Sequence, residues 1–506
     1  MDLPRRKFLR IGAGSMALLA ATGCDRVPRE LRFLLTDSSK ANKPFQPPTS
    51  GEISPIAHVL NRAGFGARPG DYERVSKLGK TPREAADSYL EQQLAPEKID
   101  DEEAVYFVRR FETLSEPLGE LFEYQPELLQ HELMRASLSR AVLSERQLYE
   151  MVVQFWSDHF NIDPSKGDCK WLKVADDRDV IRRHAMGSFA EMLRASALSP
   201  AMLWYLDGRV NRRATMEHRP NENYARELLE LHTLGVQGGY TQSDVMEVAR
   251  CLTGWTVRST ERPPYFEIGK VEFKPAEHDF GAKQVLGERI EAVPSHLSAP
   301  EREQLGRHEL DRVLRIVTRH PATARHISTK LCRHFIADQP PERAIDAVGS
   351  TFTRTGGDIR ATLQALFATD EFWHERGTKF KRPFHFVVSA LRATAAKTDA
   401  SLQIIDYLHR MGHAPFNYPT PDGYPEPAAP WLGTLLWRWN FALAVSENKI
   451  TGTRIDTGSL RDGAGGDLGL LAHLLGRQPT KPEAQAYHDS GAGLALALAS
   501  PAFQRC

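Results

Sequence analysis

Residues 220–231 read Pro-Asn-Glu-Asn-Tyr-Ala-Arg-Glu-Leu-Leu-Glu-Leu, and this stretch opens the clearest pair of helices in the chain. Its apolar residues recur at three- and four-residue spacing, which is typical of an amphipathic helix. The pattern predicts one helix that begins at Asn221 and ends at Gly235. A second helix is predicted to begin at Thr241, with Asp244 in a capping box, and to end near Gly254.

The rest of the body has the same helical pattern, except between 264 and 290. There, residues 265–268 and 271–273 flank Gly269 and predict a small hairpin. The predicted fold is mainly α: a multi-helix globular body over residues 53–503 with one small β-hairpin insertion, and a candidate sub-boundary near 260–300. The other predicted helices are one opened by Thr81-Pro82, 128–143, 148–160, 299–319, 322–337, 341–354, 358–370, 383–396, a tryptophan-bearing helix after a Pro-rich loop, and an Ala/Leu-rich helix at the end.

The helix from Asn221 carries a polar face that is a candidate metal site. Carboxylates at this spacing can share a divalent cation in a helical core, so Glu227 and Glu230 are the predicted metal ligands. Arg226 and Glu227 are candidate catalytic residues on the same face. The histidine usual at i+3 in such motifs is absent, because Glu230 occupies that position. The alternative is a ladder of Glu–Arg–Glu ion pairs at i, i+4 spacing.

Two histidine–carboxylate neighbours are further candidates for catalysis. His159 follows Asp158 at the end of a predicted helix, and His278 precedes Asp279 after the predicted hairpin. A histidine oriented by a carboxylate can act as a general base or a metal ligand. His159, His278 and Asp279 are therefore candidate catalytic residues. Helix capping or hydrogen bonding in the core is the alternative for each pair.

Basic and aromatic residues indicate two other surfaces. Arginines and lysines between 307 and 334, continued at 379–382, would suit phospholipid headgroups, cell-wall polymers or acidic polysaccharide. A solvated helix face is the alternative. Trp431, Trp437 and Trp439 follow the Pro-rich loop and could stack on sugars, with core packing as the alternative.

Together with residues 220–231, many short segments resemble the bacterial family called domain of unknown function 1800. The resemblance covers nearly everything from about 53 to 503. The matching segments are His58-Val59-Leu60-Asn61-Arg62, Phe65-Gly66, Phe155-Trp156, His159-Phe160, Ser199-Pro200-Ala201-Met202, Thr233-Leu234-Gly235, Gly239-Tyr240-Thr241, Leu252-Thr253-Gly254-Trp255, His278-Asp279, His320-Pro321-Ala322-Thr323-Ala324, Lys330-Leu331, and Lys379 with Lys381 and Pro383.

The resemblance implies a largely helical secreted protein with no established activity. Family members often lie beside genes of the family called domain of unknown function 1501, which resembles a phosphatase/sulfatase-type fold. That association implies a partner. Two positions depart from the family pattern: His232 stands where Phe is usual, and Tyr424 stands in a Gly-Trp-Pro position. The first places a polar atom on an otherwise apolar face.

Residues 1–23 have the pattern of a signal peptide. Arg5 and Arg6 precede Phe8-Leu9-Arg10, which matches the twin-arginine export signature. The following apolar run is shorter than the roughly 20 residues of a membrane-spanning helix. It ends in Ala-Ala-Thr-Gly-Cys, which resembles a lipobox and predicts an acyl chain on Cys24. The alternative is an ordinary cleaved signal and a free thiol.

Residues 24–52 are rich in Pro, Ser, Lys and Thr and predict a flexible tether with a reach on the order of 90 Å. The predicted location is the cell envelope, with the lipid holding the body on the outer side of the cytoplasmic membrane or in the periplasm. Twin-arginine export implies that the chain folds, or takes up a cofactor or partner, before it crosses.

Composition and motifs limit the function classes. Hydrophobic residues make up 41% and charged residues 26%, as in globular proteins with a core, and the formal net charge of zero gives no reason to expect a nucleic-acid partner. The five cysteines include no C-x-x-C pair, so buried free thiols are favoured over a metal or redox motif. The sequence contains no H-E-x-x-H, Walker A or G-x-S-x-G motif.

Two functional hypotheses follow. The leading one is a lipid-anchored envelope protein that acts as a binding or assembly partner of another exported protein, such as one of the unknown-function 1501 family. The alternative is a metal-dependent envelope hydrolase built on Glu227 and Glu230, with His159 or His278-Asp279. A divalent metal would then be the cofactor. The sequence does not decide between a binding protein and an enzyme.

Overall fold

Helices dominate the structure, a computed structural model that describes residues 43–216, 219–258 and 267–506. Those residues contain 23 α-helices and three two-stranded antiparallel sheets. The mainly α prediction is therefore confirmed. The predicted export signal at Arg5 and Arg6, the predicted lipid site Cys24 and the tether up to residue 42 lie outside the described residues.

The first half of the body is an array of mostly short helices. Their bounds are α1 Pro55–Arg62, α2 Asp71–Ser76, α3 Pro82–Gln93, α4 Glu102–Val108, α5 Pro126–Leu143, α6 Gln147–His159, α7 Cys169–Asp176, α8 Phe189–Ala197, α9 Pro200–Tyr205, α10 Asn223–Glu227 and α11 Gln242–Cys251.

The second half contains the longest helix, a 21-residue element, and ends in short helices. Their bounds are α12 Ala299–Arg319, α13 Pro321–Phe335, α14 Glu342–Thr355, α15 Ile359–Phe367, α16 Asp370–His374, α17 Pro383–Ala393, α18 Leu402–Arg410, α19 Leu435–Ser446, α20 Thr457–Gly463, α21 Asp467–Leu475, α22 Lys481–Asp489 and α23 Gly493–Ala499.

Capping chemistry explains why several predicted helix starts are confirmed. The Thr81 side chain accepts a hydrogen bond from the Glu84 amide at the start of α3, where Pro82 holds the first helical position. Thr241 and Asp244 form the predicted capping box of α11. These side chains satisfy backbone amides that a helix leaves unpaired at its first turn.

Two helices continue into a wider π-helical turn. Helix α7 runs into residues Asp177–Arg182, and α10 runs into Leu228–Thr233. In the second turn, the amides of Leu234 and Gly235 both donate to the carbonyl of Leu229. The usual i→i+4 partners are thereby displaced, so carbonyls of this turn are free to accept side-chain hydrogen bonds.

The predicted hairpin is half correct. Its second strand is β2, Val271–Phe273, but β2 pairs antiparallel with β1, Trp255–Val257, in the register Trp255↔Phe273. Residues 265 and 266 of the predicted first strand lie outside the described residues. The pairing with β1 buries the side chains of Trp255 and Phe273 together in the core, which a strand next to Gly269 would not do.

Two further pairs are β3 Lys283–Val285 with β4 Glu288–Ile290, and β5 Lys397–Thr398 with β6 Thr453–Arg454.

One hydrophobic cluster extends through the body from Phe45 to Phe503. It includes Val285 and Ile290 of the insertion, so the region near 260–300 shares the main core. Phe45 is buried and its amide donates to the Gly463 carbonyl at 2.9 Å. The chain is therefore already packed against the body at residue 45.

The packing of five elements sets the position of the polar interior described below. Helix α13 packs on α14 and on the π-helical turn Leu228–Thr233, and α17 packs on α5. Cysteines 169, 251, 332 and 506 are free and buried, as the sequence predicts. Within the described ranges, no helix has the length and apolar character needed to cross a membrane.

Candidate functional site

Helix α13 presents three polar side chains on one inner face. His326, Lys330 and His334 follow each other at four-residue spacing, which places them on the same side of the helix. His326 Nε2 lies 3.2 Å from the Leu231 carbonyl oxygen, and His334 Nδ1 lies 2.6 Å from Glu426 Oε1. We call the surrounding group the polar cleft; its residues are Asp158, His159, His232, His326, Lys330, His334, Arg382 and Glu426.

Glu426 and Arg382 form the charged centre of the polar cleft. Arg382 Nη1 lies 2.8 Å from Asp158 Oδ2 and 3.5 Å from Glu426 Oε1, and Lys379 Nζ lies 3.6 Å from Glu426 Oε2. Burial alone would raise the pKa of Glu426, but Arg382 and His334 hold that pKa well below its usual range. Glu426 is therefore ionised. The alternating charges attach the loop that contains Glu426 to α13 and α17.

Asp158 and Lys330 are the two groups of the polar cleft with pKa values nearest neutrality. Burial raises the pKa of Asp158 to about 6, although Arg382 opposes the shift. Burial also lowers the pKa of Lys330 to about 8, against the attraction of Asp158, Glu426 and Asp422. Groups that exchange a proton near neutral pH are a common feature of functional sites.

His159 and His232 line the other side of the polar cleft. His159 Nε2 lies 3.2 Å from the carbonyl oxygen of His232, which belongs to the π-helical turn. Burial lowers the pKa of His159 well below its usual value and that of His232 to about 3, so both rings are neutral at neutral pH. Nδ1 of His159 and both ring nitrogens of His232 have no hydrogen-bond partner among the described residues.

The loop of residues 413–428 closes over this group. Asn161 Nδ2 donates to the carbonyls of Tyr418 and Thr420, at 2.9 and 2.7 Å. Gly423 has a φ of +73°, and a Cβ there would lie 2.0 Å from the Asp158 carbonyl oxygen. Tyr424 donates to the Ala414 carbonyl at 2.7 Å and packs on the His413 ring. Glycine is therefore required where the loop meets the end of α6.

Two small cavities adjoin the polar cleft, each with a volume of about 20 Å³. One is bordered by His334, Arg382 and Glu426, and the other by Asp158 and Tyr424. Each has room for roughly one water molecule. Lys330 itself is partly exposed.

The predicted carboxylate face forms the ion-pair geometry that the sequence offered as the alternative. Arg226 lies between Glu222 and Glu230, at 3.3 and 3.5 Å, and also donates to Gln242 Oε1 at 2.8 Å. Glu227 is partly buried, and burial together with Glu230 raises its pKa. Arg226 therefore neutralises one of the two predicted metal ligands directly, which leaves less negative charge for a cation.

His278 and Asp279 belong to a second buried network. His278 Nδ1 lies 2.8 Å from the Thr253 carbonyl oxygen, and its Nε2 lies 3.3 Å from Glu309 Oε2. Lys283 Nζ donates to Glu309 Oε2 at 2.6 Å, and Asp279 pairs with Arg250 at 2.8 Å. We call this set the insertion network, because it ties α12 to the strands of the insertion.

The predicted catalytic residues are thus divided between sites. His278 is 1% exposed. Among the described residues, the hydrogen-bond partners of His278 differ from those of His159, so the two rings belong to different networks. Within residues 43–216, 219–258 and 267–506, no group of three or more His, Cys, Asp or Glu side chains is arranged to hold a metal ion. The metal-dependent hydrolase remains a prediction.

The basic stretch borders an open groove between α8, α12, α13 and α14. The groove has a volume of about 830 Å³, and Arg315, Arg319 and His320 line it. Arg194 at its edge is paired with Asp311 at 2.7 Å. Arg315 and Arg319 are exposed, which fits the solvated-face alternative for this stretch.

Some of the segments that resemble a known family contribute residues to the polar cleft. The family model described as "Protein of unknown function (DUF1800)" matches residues 58–505. The chain belongs to this family. No match to this chain is found among the curated proteins or among the solved structures. His159, Lys330 and Lys379 stand in segments that resemble this DUF1800 family, and both departures from its pattern, His232 and Tyr424, lie in or beside the cleft.

Several residues of the polar cleft were not predicted as site residues. The four-residue spacing of His326, Lys330 and His334 on an otherwise apolar helix face was a usable signal, because a buried face rarely carries three polar residues. Arg382 and Glu426 gave no such signal. They meet across the fold, from the start of α17 and from a Pro-rich loop, so only the tertiary structure brings them together.

Proposed function

We propose that this DUF1800 protein is a lipid-anchored cell-envelope protein that binds another exported protein through an exposed apolar stripe on α19. The stripe, which we call the leucine stripe, consists of Leu432, in the turn just before α19, and of Leu435, Leu436 and Trp439 in the helix itself. The three leucines are 52%, 47% and 66% exposed. This exposure is the single observation that carries the proposal, because contiguous exposed apolar residues mark interaction surfaces.

The leucine stripe is not needed to hold α19 in place. The opposite face of the helix is fully buried through Phe441, Ala442 and Val445, and packs on α23. Arg438 on that face donates to Gln504 and to the Lys381 carbonyl, at 3.0 and 2.8 Å. Helix α19 is therefore apolar on two sides, and only one of them has a partner within the described chain.

The proposed tether determines what the stripe can meet. Between Cys24 and the packed residue Phe45, an extended chain has a reach on the order of 60 Å. A body held that far from its lipid can turn the leucine stripe toward a protein in the same compartment. Family resemblance suggests an exported protein of the unknown-function 1501 family as that partner.

The test is co-purification from membranes with a co-expressed protein of the unknown-function 1501 family. In the variant with Leu435→Asp and Leu436→Asp, we expect at least a tenfold loss of bound partner, because two charges would be buried in the interface. The matched control is Leu402→Asp with Leu468→Asp, which alters leucines that are 44% and 58% exposed outside the stripe.

Equal partner recovery with both double variants, or none with the unaltered chain, would refute docking through the stripe. The anchor is tested separately by mass spectrometry of the mature N-terminus. We expect an acylated Cys24, and an uncleaved or unacylated start would refute the anchor without affecting the docking result.

A further inference from the structure

We propose that Lys330 is the reactive amine of a binding site in the polar cleft, and that it takes a small aldehyde or ketone as an imine. This site is independent of the leucine stripe. It uses residues of α6, α13 and the π-helical turn, whereas the stripe lies on α19. The argument rests on the bonding state of Lys330, on the unpaired atoms around it and on its accessibility.

Lys330 differs from Lys283 and Lys379 in its bonding. The ammonium of Lys283 donates to Glu309 and to the carbonyls of Asp279 and Gly281, so all three protons are used. Lys379 donates to Asp338 at 2.8 Å. Among the described residues, Lys330 has no hydrogen bond and no ion pair, although it stands one helical turn from both His326 and His334. An amine that stabilises no partner is free to react.

Unpaired polar atoms lie in the same cleft, and the charge of Lys330 acts on the rings of His159 and His232. Among the described residues these atoms are His159 Nδ1, both ring nitrogens of His232 and His334 Nε2. The three histidines are 1%, 0% and 5% exposed, so water from bulk solvent does not satisfy them. Buried polar atoms in folded proteins nearly always have partners. A small polar ligand held by Lys330 would supply both donors and acceptors to this group.

The environment also makes the amine nucleophilic. With a pKa of about 8, roughly a tenth of Lys330 is neutral at pH 7, compared with roughly 0.04% for an ordinary lysine. The neutral nitrogen attacks the carbonyl carbon, and the carbonyl oxygen takes up a proton to give a carbinolamine. The carbinolamine then loses its hydroxyl group and the nitrogen-bound proton together as one water molecule, so amine and carbonyl compound give imine and water.

Lys381 provides an internal control for reactivity. Burial lowers its pKa to about 8 as well, but it is only 3% exposed and its ammonium lies 4.3 Å from the centre of the Phe503 ring. A shifted pKa without access therefore predicts no reaction at Lys381. Lys330 combines the shift with partial exposure.

The experiment is reductive trapping on the full chain. The protein is incubated at pH 7 with acetaldehyde or, in a second arm, acetone, together with cyanoborohydride, and alkylation of each lysine is followed by peptide mass spectrometry. We expect Lys330 to be alkylated at least tenfold faster than the exposed Lys98, with Lys283 and Lys381 slowest. The rate at Lys330 should rise with pH around a midpoint near 8.

Two variants make the result decisive. Lys330→Arg keeps the positive charge and should abolish the fast phase, whereas Lys77→Arg, at a lysine whose side chain is 70% exposed outside the cleft, should leave it unchanged. Alkylation of Lys330 no faster than that of Lys98, or a fast phase that persists in Lys330→Arg, would overturn the proposal. Reaction in only one of the two arms identifies the carbonyl class that the site accepts.

Discussion

The insertion network and the polar cleft both contain histidine, lysine and glutamate side chains, yet their lysines Lys283 and Lys330 differ in how they are bonded. In the insertion network, Lys283 has three acceptors and Glu309 is shared between Lys283 and His278. In the polar cleft, His334 and Glu426 pair, but Lys330 has no partner among the described residues. The same chemistry therefore stabilises the fold in one place and leaves a reactive group in the other.

The largest expected effect comes from breaking the insertion network. Glu309→Gln removes the negative charge opposite Lys283, whose side chain is fully buried, and leaves a buried ammonium without its counter-ion. We expect the free energy of unfolding to fall by roughly 3–5 kcal/mol, measured by urea denaturation. Glu303→Gln on the same helix, which breaks only the exposed pair with Arg307, should cost less than about 1 kcal/mol. Similar losses for both variants would contradict the structural role of the insertion network.

A pH-dependent effect should follow from the unpaired histidines of the polar cleft. His232 has a pKa of about 3 when folded, whereas an unfolded histidine titrates near 6.5. Below pH 6.5 only the unfolded state takes up this proton, so stability falls as pH falls, by about 1.4 kcal/mol per pH unit for this residue. The loss continues down to the folded-state pKa.

His232→Phe removes that proton linkage. Compared with the unaltered chain, the variant should be more stable by about 1 kcal/mol at pH 7, because two unpaired nitrogens are gone, and by roughly 3 kcal/mol more at pH 4.5. Phe160 already packs 5.1 Å from the His232 ring, so an aromatic replacement fits. His278→Phe in the insertion network should instead destabilise, because it loses the bond to Thr253. The measurement is denaturation at both pH values. An equal gain in stability for His232→Phe at pH 7 and at pH 4.5 would contradict this reasoning.

A glycine packs closely against each of the two networks, and the two glycines differ in the atoms that an added Cβ would meet. A Cβ at Gly306 would meet ring atoms of Phe273 and Phe280 at 2.9 Å, whereas a Cβ at Gly423 would meet the backbone oxygen of Asp158 at 2.0 Å. Rings can shift and a backbone carbonyl cannot shift as easily. Gly423→Ala should therefore cost about 2 kcal/mol, because its φ is also positive.

Gly306→Ala should be nearly neutral, since alanine favours the helix and offsets part of the crowding. Thermal denaturation of both variants gives the comparison. A larger loss of thermal stability for Gly306→Ala than for Gly423→Ala would mean that the 413–428 loop packs less tightly on α6 than the insertion packs on α12.

Local patterns predicted the helices well because their signals are local. The capping residues Thr81 and Thr241, and the spacing of residues 220–231, lie within the elements they define. The π-helical turn after Glu227 was missed because one inserted residue barely changes an apolar pattern. The first strand was placed wrongly because Trp255 pairs with Phe273 across 18 positions, and no local rule records such a partner.

The candidate site was predictable only in part, for the same reason. The ion pairs of Arg226 with Glu222 and Glu230 follow directly from helical spacing. The meeting of Asp158, Arg382 and Glu426 depends on three segments that are far apart in the chain. Bonding states depend on tertiary structure still more strongly. Nothing in the sequence distinguishes Lys283, with three acceptors, from Lys330, which has none within the described part of the chain.

The smallest expected effect is also the sharpest test of that distinction. Lys330→Met should change the free energy of unfolding by less than about 1 kcal/mol, because the ammonium has no bond to lose and methionine retains the apolar stem. Lys283→Met should cost several times more, since it leaves the Glu309 carboxylate buried without its cation. Urea denaturation of the two variants at pH 7 measures the difference. If both substitutions cost the same, Lys330 has a stabilising partner in solution, and the contrast between the bonded Lys283 and the unbonded Lys330 fails.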